Sequence, residues 1–383
     1  MSEDGKTHSH ALPLVIGIDL GGTQIRVAIL RGVQILSRAA TLTGQNPTPD
    51  RVLERIYTIL QQVLDTAGVT LAEIAGIGVA APGPLDNRTG TIYSPPNLPA
   101  WKSVALRDIL QEKYQKPVFV ENDANAAALG EYMFGAGQGC RDMVYMTVST
   151  GIGGGIIVDG KIMEGASGGA GELGHITIDW KGERCTCGNI GCLEALASGT
   201  AIARLANTAI ANGQGAELLD FARTMLEHTS TIPDKGALPK FDFNTQPLDA
   251  EATQILANND TTALSLSAHT VARAAEAGIP LARAIITQAA EALGVGLVNI
   301  LHIFNPEVII LGGGVMQMGT MLMDPALRIM YERTMPANLA GKRPLPGESA
   351  TGSGARIVQA QLGTNAGLIG AGALLYYYQH LEG

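Results

Sequence analysis

The sequence predicts an α/β protein of two domains facing one another across a cleft, and three observations carry that expectation. A chain of 383 residues exceeds the size at which a single hydrophobic core usually stops growing. LVIGIDLGGTQIRVAIL, from Leu14 to Leu30, reads as strand, glycine turn and strand, and MVYMTVSTGIGGGIIVDG, from Met143 to Gly160, repeats that layout. Helix-period stretches alternate with short apolar runs along the remainder, the pattern of an α/β chain.

The elements follow in chain order. Residues 1–10, MSEDGKTHSH, form a polar tail. Asp19 closes the first strand and Thr23 follows its turn. Pro49 to Ala67 has helical spacing, IAGIGVAAPGP is a strand running into a turn, and VALRDILQEKY is amphipathic. KPVFVEN is a strand that delivers Asp123 to the head of the Ala-rich helix DANAAALGEYMF. GAGQG, 135–139, suits a hinge or boundary, and Ala195 to Arg223 reads as mostly helical. Residues 228–249 hold three prolines and lack a clean period, so they read as an excursion with no assigned chemistry. Glu251 to Val298 is again helical, FNPEVIILGGGV supplies a buried strand and glycine turn, and NAGLIGAGALLYYYQH is a final helix whose apolar residues need a partner.

Composition narrows the function. The formal net charge is −9 and the pI about 5.3, which argues against a nucleic-acid footprint or affinity for an anionic membrane. A local cradle of backbone N–H groups binds phosphate regardless of net charge. The N-terminus lacks the pattern of a signal peptide, and no uninterrupted apolar stretch reads as long enough to cross a bilayer. A cytoplasmic location is the expectation.

The most specific local signal is GHITIDWKGERCTCGNIGCLE. It sets His175, Cys185, Cys187 and Cys192 in the spacing H-x9-C-x-C-x4-C. One imidazole and three thiolates complete a tetrahedral zinc shell, the arrangement of a structural site with no position left for substrate. Disulfides are the alternative, disfavoured in a cytoplasmic chain whose remaining Cys140 lies far away. Glu172 and Glu194 flank the cluster. They either accept hydrogen bonds from a polyhydroxylated ligand or support the loop.

DLGGT, with Gly21, Gly22 and Thr23, and STGIGGG, with Thr150, Gly151 and Gly153, are turns able to expose N–H groups to phosphate. Neither fits the P-loop or Rossmann pattern. Asp19 is suited to hold Mg2+ through water, and Gly312 and Gly313 would let a nucleotide lie close to the backbone. Asp123 is placed either as a general base for phosphoryl transfer to an alcohol or as a helix N-cap. Asn97 and Asn122 suit sugar hydroxyls, although Asn97 also suits a turn. Trp101 either stacks on a sugar or anchors its loop in the core.

Taken together, DLGGT, NLPAW, ENDANAAALGE, STGIGGG, GASGGAGELGH, CTCGNIGCLE and ILGGG resemble, in order and approximate spacing, the ROK family of sugar kinases and related repressors. The resemblance covers nearly all of the chain after the tail. It implies a two-domain, actin-like (ribonuclease H-like) sugar kinase fold. The small domain would span 11–128 and be joined by the returning helix at about 363–380; the larger would span 129–362.

It further implies Asp123 as the catalytic base and Gly83, Asn97, Asn122, Glu172, His175 and Glu194 as sugar contacts with Asp123. His175 would serve both zinc and sugar. Asp19, Gly21, Gly22, Thr23, Thr150, Gly151 and Gly153 match the phosphate and Mg2+ elements, and Gly312 and Gly313 the nucleotide wall. The implied partners are a hexose and a nucleotide, in a homodimer or homotetramer.

PGPLDNRTG and SPPNLPAWKSVAL are similar to the glucokinase-type members, so the expectation is phosphorylation of glucose at its 6-hydroxyl by ATP with Mg2+. Kinases for mannose, allose, fructose, N-acetylglucosamine or N-acetylmannosamine are alternatives, since a few contacts change the preferred epimer. A donor other than ATP, such as polyphosphate, is less suited to a Lys- and Arg-poor chain. A sugar-responsive repressor is the reading from a different class. The repressors usually carry a helix-turn-helix domain ahead of DLGGT, whereas 13 residues precede Leu14 here.

Overall fold

The computed structural model describes residues 12–45, 47–229, 265–339 and 355–382. The polar tail lies outside the described residues, as do the excursion at 228–249 from Ser230 onward and the first part, to 264, of the stretch read as helical from Glu251.

Two five-stranded sheets share one layout. In the first, the order is β3 (Gln34–Leu42), β2 (Gln24–Arg31), β1 (Leu14–Leu20), β4 (Ile74–Ala81) and β8 (Val118–Asn122). In the second it is β11 (Lys161–Ile162), β10 (Ile152–Val158), β9 (Met143–Val148), β12 (Val308–Gly312) and β13 (Arg356–Gln359). In each sheet the leading strand of the repeated hairpin pairs antiparallel with the next strand, β1 with β2 and β9 with β10, and parallel with its other neighbour, β4 or β12. A small third sheet is formed by β5 (Leu85–Asp86), β6 (Thr91–Ile92) and β7 (Val104–Ala105). Strand β1, LVIGIDL, is buried at every position, as a strand covered on both faces must be, and this accounts for its apolar run from Leu14 to Ile18.

Helix α1 (Pro49–Ala67) begins on a proline, which needs no hydrogen-bonded N–H there, and ends at Gly68 in the left-handed conformation. Its buried residues, Val52, Leu53, Ile56, Ile59, Leu60, Val63 and Leu64, follow the i, i+3, i+4 spacing and join the core of the first sheet.

Small residues decide how the two sheets meet. The final helix α10 (Ala366–Glu382) packs on β1, β4 and on α3 (Asp123–Phe134). A Cβ at Gly78 would lie 1.7 Å from the Ala371 carbonyl oxygen, and one at Gly370 would lie 2.0 Å from that of Ala126. On the side of α3 facing β10, a Cβ at Gly155 would lie 2.5 Å from Ala128 Cβ. Glycine and alanine therefore bring α3 close to the final helix and to the second sheet. The apolar residues of the last helix find their partner against β1 and β4. Residue 128, where the sequence reading divides the chain, lies within α3.

Among the described residues the helix α8 (Pro280–Phe304) is long and apolar enough, by length and composition, to cross a membrane. The share of its most apolar window buried inside the molecule is 61%. Its apolar surface is used in packing against α7 (Ala268–Glu276), α9 (Thr320–Arg333) and α4 (Leu193–Ala197).

Candidate active site

The base candidate lies where β8 passes into α3. Asn122 is the N-cap: its Oδ1 accepts the N–H groups of Ala124 at 2.9 Å and Asn125 at 3.3 Å. Asp123 is therefore the first helical residue rather than the cap, although its Oδ1 also accepts the Ala124 N–H at 2.8 Å. Asp123 is exposed to water, yet enough protein surrounds it to desolvate its carboxyl partly. That desolvation pushes its carboxyl up to about 6, helped by the charges of Asp19 and Glu172, while the Ala124 N–H opposes the shift. The charges of Asp19 and Glu172, from distant parts of the sequence, thus bear on Asp123. A Cβ at Gly83 would lie 3.3 Å from Asn122 Nδ2, so the turn after β4 closes on the same junction.

In the first glycine turn, the Gly21 N–H donates to Gln24 O at 2.9 Å. The turn is held from behind by Thr43, whose N–H donates to Thr23 O at 2.8 Å and whose Oγ1 donates to Gly21 O at 2.7 Å. A Cβ on Gly22 would lie 2.5 Å from Asn97 Cβ, so only glycine lets DLGGT abut the loop carrying Asn97. Thr23 is exposed. Asp19 is almost buried and pairs through Oδ2 with Arg26, so a cation there would share its carboxylate with a guanidinium.

The second turn is docked on α5 (Gly199–Ala211). Thr150 O accepts the Thr200 N–H at 3.2 Å and Thr200 Oγ1–H at 2.8 Å. Thr150 is exposed and Gly151 half-buried. Gly153 sits inside β10, paired with Thr147, where a Cβ would lie 3.1 Å from Ala124 Cβ; the position gives α3 its close approach. In the third glycine set Gly312 is buried beside the Tyr145 hydroxyl, whereas Gly313, at φ +93°, is exposed. A Cβ on Gly313 would lie 2.3 Å from Val148 O, which brings this turn against the end of β9.

The ligand atoms of His175, Cys185, Cys187 and Cys192 lie within 4.8 Å of one another, and none of the cysteines is in a disulfide. Cys187 Sγ and Cys192 Sγ are 3.7 Å apart, and Cys185 Sγ is 3.6 Å from His175 Nδ1. A tetrahedral centre with metal–sulfur bonds of about 2.3 Å and metal–nitrogen bonds of about 2.0 Å requires separations of about 3.5 to 3.8 Å. The four groups fit a metal ion, with Nδ1 as the histidine ligand atom. His175 Nε2 is turned the other way, 4.0 Å from Glu172 Oε2. Glu194 Oε2 accepts the Ile152 N–H at 2.9 Å, and Oε1 lies 3.9 Å from Cys185 Sγ.

The model of the ROK family matches residues 15–377. This chain belongs to the ROK family. A glucokinase of Halalkalibacterium halodurans is 33% identical to it over 363 residues, 94% of each chain. A xylose repressor of Caldicellulosiruptor bescii is 30% identical over 84% of this chain and 70% of its own length. The crystal structure of a ROK hexokinase from Thermus thermophilus, 32% identical, superposes with a TM-score of 0.68 over 97% of this chain and all of the other. The actin-like fold follows from that likeness and from the two matched sheets, and sugar-kinase activity of the ROK type is supported by it.

Trp101 of the ROK chain is fully buried and anchors its loop, so it offers no face to a sugar. Around the ROK site stand residues that sequence reasoning missed. Glu121, Asn125 and Asn87 form a buried polar group behind Asn122 and Asp123, and Thr43 braces the first glycine turn. Nothing in the sequence marks them, because their partners come from separate segments.

Proposed function

We propose that this ROK protein phosphorylates glucose at the 6-hydroxyl, with ATP as donor and Asp123 as general base. The observation that carries the reading is Asp123 itself: an exposed carboxyl at the head of α3, pushed up to about 6 and facing the charges of Asp19 and Glu172. A base with that value is ionised at neutral pH and still basic enough to take a hydroxyl proton. The likeness to a glucokinase over 94% of each chain supports a kinase.

In this reading the unit 11–128 with 363–380 and the unit 129–362 close around the substrates and exclude water. Gly83, Asn97, Asn122, Glu172, His175 and Glu194 bind the sugar, Glu194 through the oxygen not bonded to Ile152. Asp123 takes the proton of the 6-hydroxyl as the oxygen forms its bond to the γ-phosphorus, and the bond from that phosphorus to the ADP oxygen breaks with its electron pair leaving on ADP. The N–H groups of the turns at Gly21–Thr23 and Thr150–Gly151 stabilise the phosphoryl oxygens, and Gly313 lies against the nucleotide. Asp19 would be the residue to hold Mg2+, which when bound would supply positive charge to the phosphates.

The metal of the His175, Cys185, Cys187 and Cys192 cluster is zinc in a structural role. With Nδ1 on the metal, Nε2 of His175 carries the proton and donates to a sugar hydroxyl.

The test is nucleoside diphosphate release with ATP and Mg2+ across glucose, mannose, fructose, allose, N-acetylglucosamine and N-acetylmannosamine, with the product's phosphorylated position determined. Glucose 6-phosphate as the main product supports the reading. A better turnover on another sugar overturns the choice of glucose, and binding of a sugar without turnover by any donor, polyphosphate included, favours a regulator.

A further inference from the structure

Glu121 is 2% exposed, yet it stands two residues before Asp123. Burying a carboxylate is unfavourable unless its lone pairs are met by donors, and here both oxygens are. Oε1 accepts the main-chain N–H of Asn122 at 2.8 Å and Nδ2 of Asn125 at 3.1 Å. Oε2 accepts Nδ2 of Asn87 at 2.9 Å and lies 3.4 Å from the hydroxyl of Tyr378. The same hydroxyl is 3.1 Å from Glu164 Oε1, so its single proton serves one carboxylate at a time.

These donors arrive from three separate segments. Asn122 and Asn125 belong to the junction of β8 and α3, Asn87 to the turn that joins β5 to β6, and Tyr378 to the final helix. A carboxylate accepts on both oxygens at once, which an amide cannot do. Burial pushes the Glu121 carboxyl up, and the bonds from Asn125, Asn87 and the Asn122 N–H oppose that rise.

We propose that Glu121 is a positioning residue of the sugar site: its carboxylate fastens the β5–β6 turn, through Asn87, and the final helix to the Asn122–Asp123 junction, and so sets the base against the sugar wall. The inference rests on the sugar-kinase reading. Glu121 touches no reacting atom. Its effect passes through the Asn122 peptide, whose side chain caps α3 and whose neighbour is the base, and through Asn87 to β5, the strand that follows the Gly83 bend.

The experiment compares Glu121→Gln with wild type by steady-state kinetics, varying sugar and ATP separately. The glutamine keeps the volume and one oxygen for the Asn122 and Asn125 donors, but turns a second NH2 group toward Asn87. We expect kcat/KM for the sugar to fall about tenfold to a hundredfold, the scale of a small misplacement of reacting groups, with the KM for ATP unchanged. Adding Asn87→Asp reverses the donor and acceptor across the same pair and should restore several-fold of the loss, which a general loss of stability would not show.

Unchanged sugar kinetics in a folded Glu121→Gln protein, or a loss shared equally by the ATP KM and not rescued by Asn87→Asp, overturns the proposal. Should Glu121→Gln fail to fold, Asn87→Ala removes the same bond from the half-buried side, and an unaltered sugar KM and kcat in that variant likewise overturns it. Wild-type turnover is measured first: no turnover on any sugar of the panel overturns the kinase reading and this one together, whereas an active wild type with an unaffected variant removes only the role of Glu121.

Discussion

Glu194 Oε2 accepts the main-chain N–H of Ile152 at 2.9 Å, and this bond joins the metal-binding loop to the second glycine turn. Glu194 stands two residues after Cys192, so whatever fixes the cluster also fixes the carboxylate. A Cβ at Gly151 would lie 2.5 Å from Glu194 Oε2, so a side chain there would push this carboxylate from its place.

Replacing Glu194 separates two consequences. Glu194→Gln retains an acceptor for the Ile152 N–H, whereas Glu194→Ala leaves that donor unpaired at a cost of about 1–3 kcal/mol. The alanine variant should unfold at lower urea and lose more turnover than the glutamine variant. Equal stability and turnover in the two would show that the bond is dispensable.

Metal removal should silence the enzyme indirectly. Stripping the cluster frees His175 and the loop carrying Glu172 and Glu194, so turnover falls with the metal content and returns on adding zinc. Metal analysis, circular dichroism and turnover on one sample provide the check. A metal-free, folded protein with full turnover contradicts the structural role assigned to the cluster.

Asp123 makes a kinetic prediction and a thermodynamic one of opposite sign. As a base it must be ionised, so log kcat/KM should fall with unit slope below about pH 6 and level off above. Asp123→Ala should lower kcat by about 10²–10⁴ with nucleotide binding retained.

For stability, the raised carboxyl keeps its proton in the folded state over a range where the unfolded chain has lost it. Between the ordinary value of 3.8 and about 6, stability from this group therefore declines as pH rises, and the deficit persists above. Asp123→Asn should raise Tm at pH 7.5 and lose that gain below pH 3.8; a Tm difference independent of pH would contradict the assignment.

The seam between the final helix and α3 should tolerate no added methyl. Gly370→Ala sets a Cβ 2.0 Å from Ala126 O, and overpacking of this kind costs about 1–3 kcal/mol. Urea unfolding gives the value. Wild-type stability in the variant would mean that α3 and the final helix separate more easily than their packing implies.

Much of the framework was legible because its causes are local. The helix Pro49–Ala67 was readable from a starting proline, a 3.6-residue period and a closing glycine. The two hairpins were readable from apolar runs broken by glycines. The candidate metal ligands stood out by residue type and spacing, and folding brings their ligand atoms within 4.8 Å of one another.

What stayed hidden depends on partners far along the chain. Sequence by itself placed Asp123 at a helix start, but only the fold gave the cap to Asn122 and surrounded Asp123 with Asp19 and Glu172. It marked Gly153 and Gly312 as phosphate or nucleotide glycines, while the packing of α3 on β10 and of Tyr145 on β12 gives both a close-packing role. It offered no reason to single out Glu121, whose contact with Tyr378 spans 257 positions. Periodicity and spacing record the covalent neighbourhood of a residue; burial, charge and hydrogen-bond partners are set by segments that meet only when the sheets and helices pack.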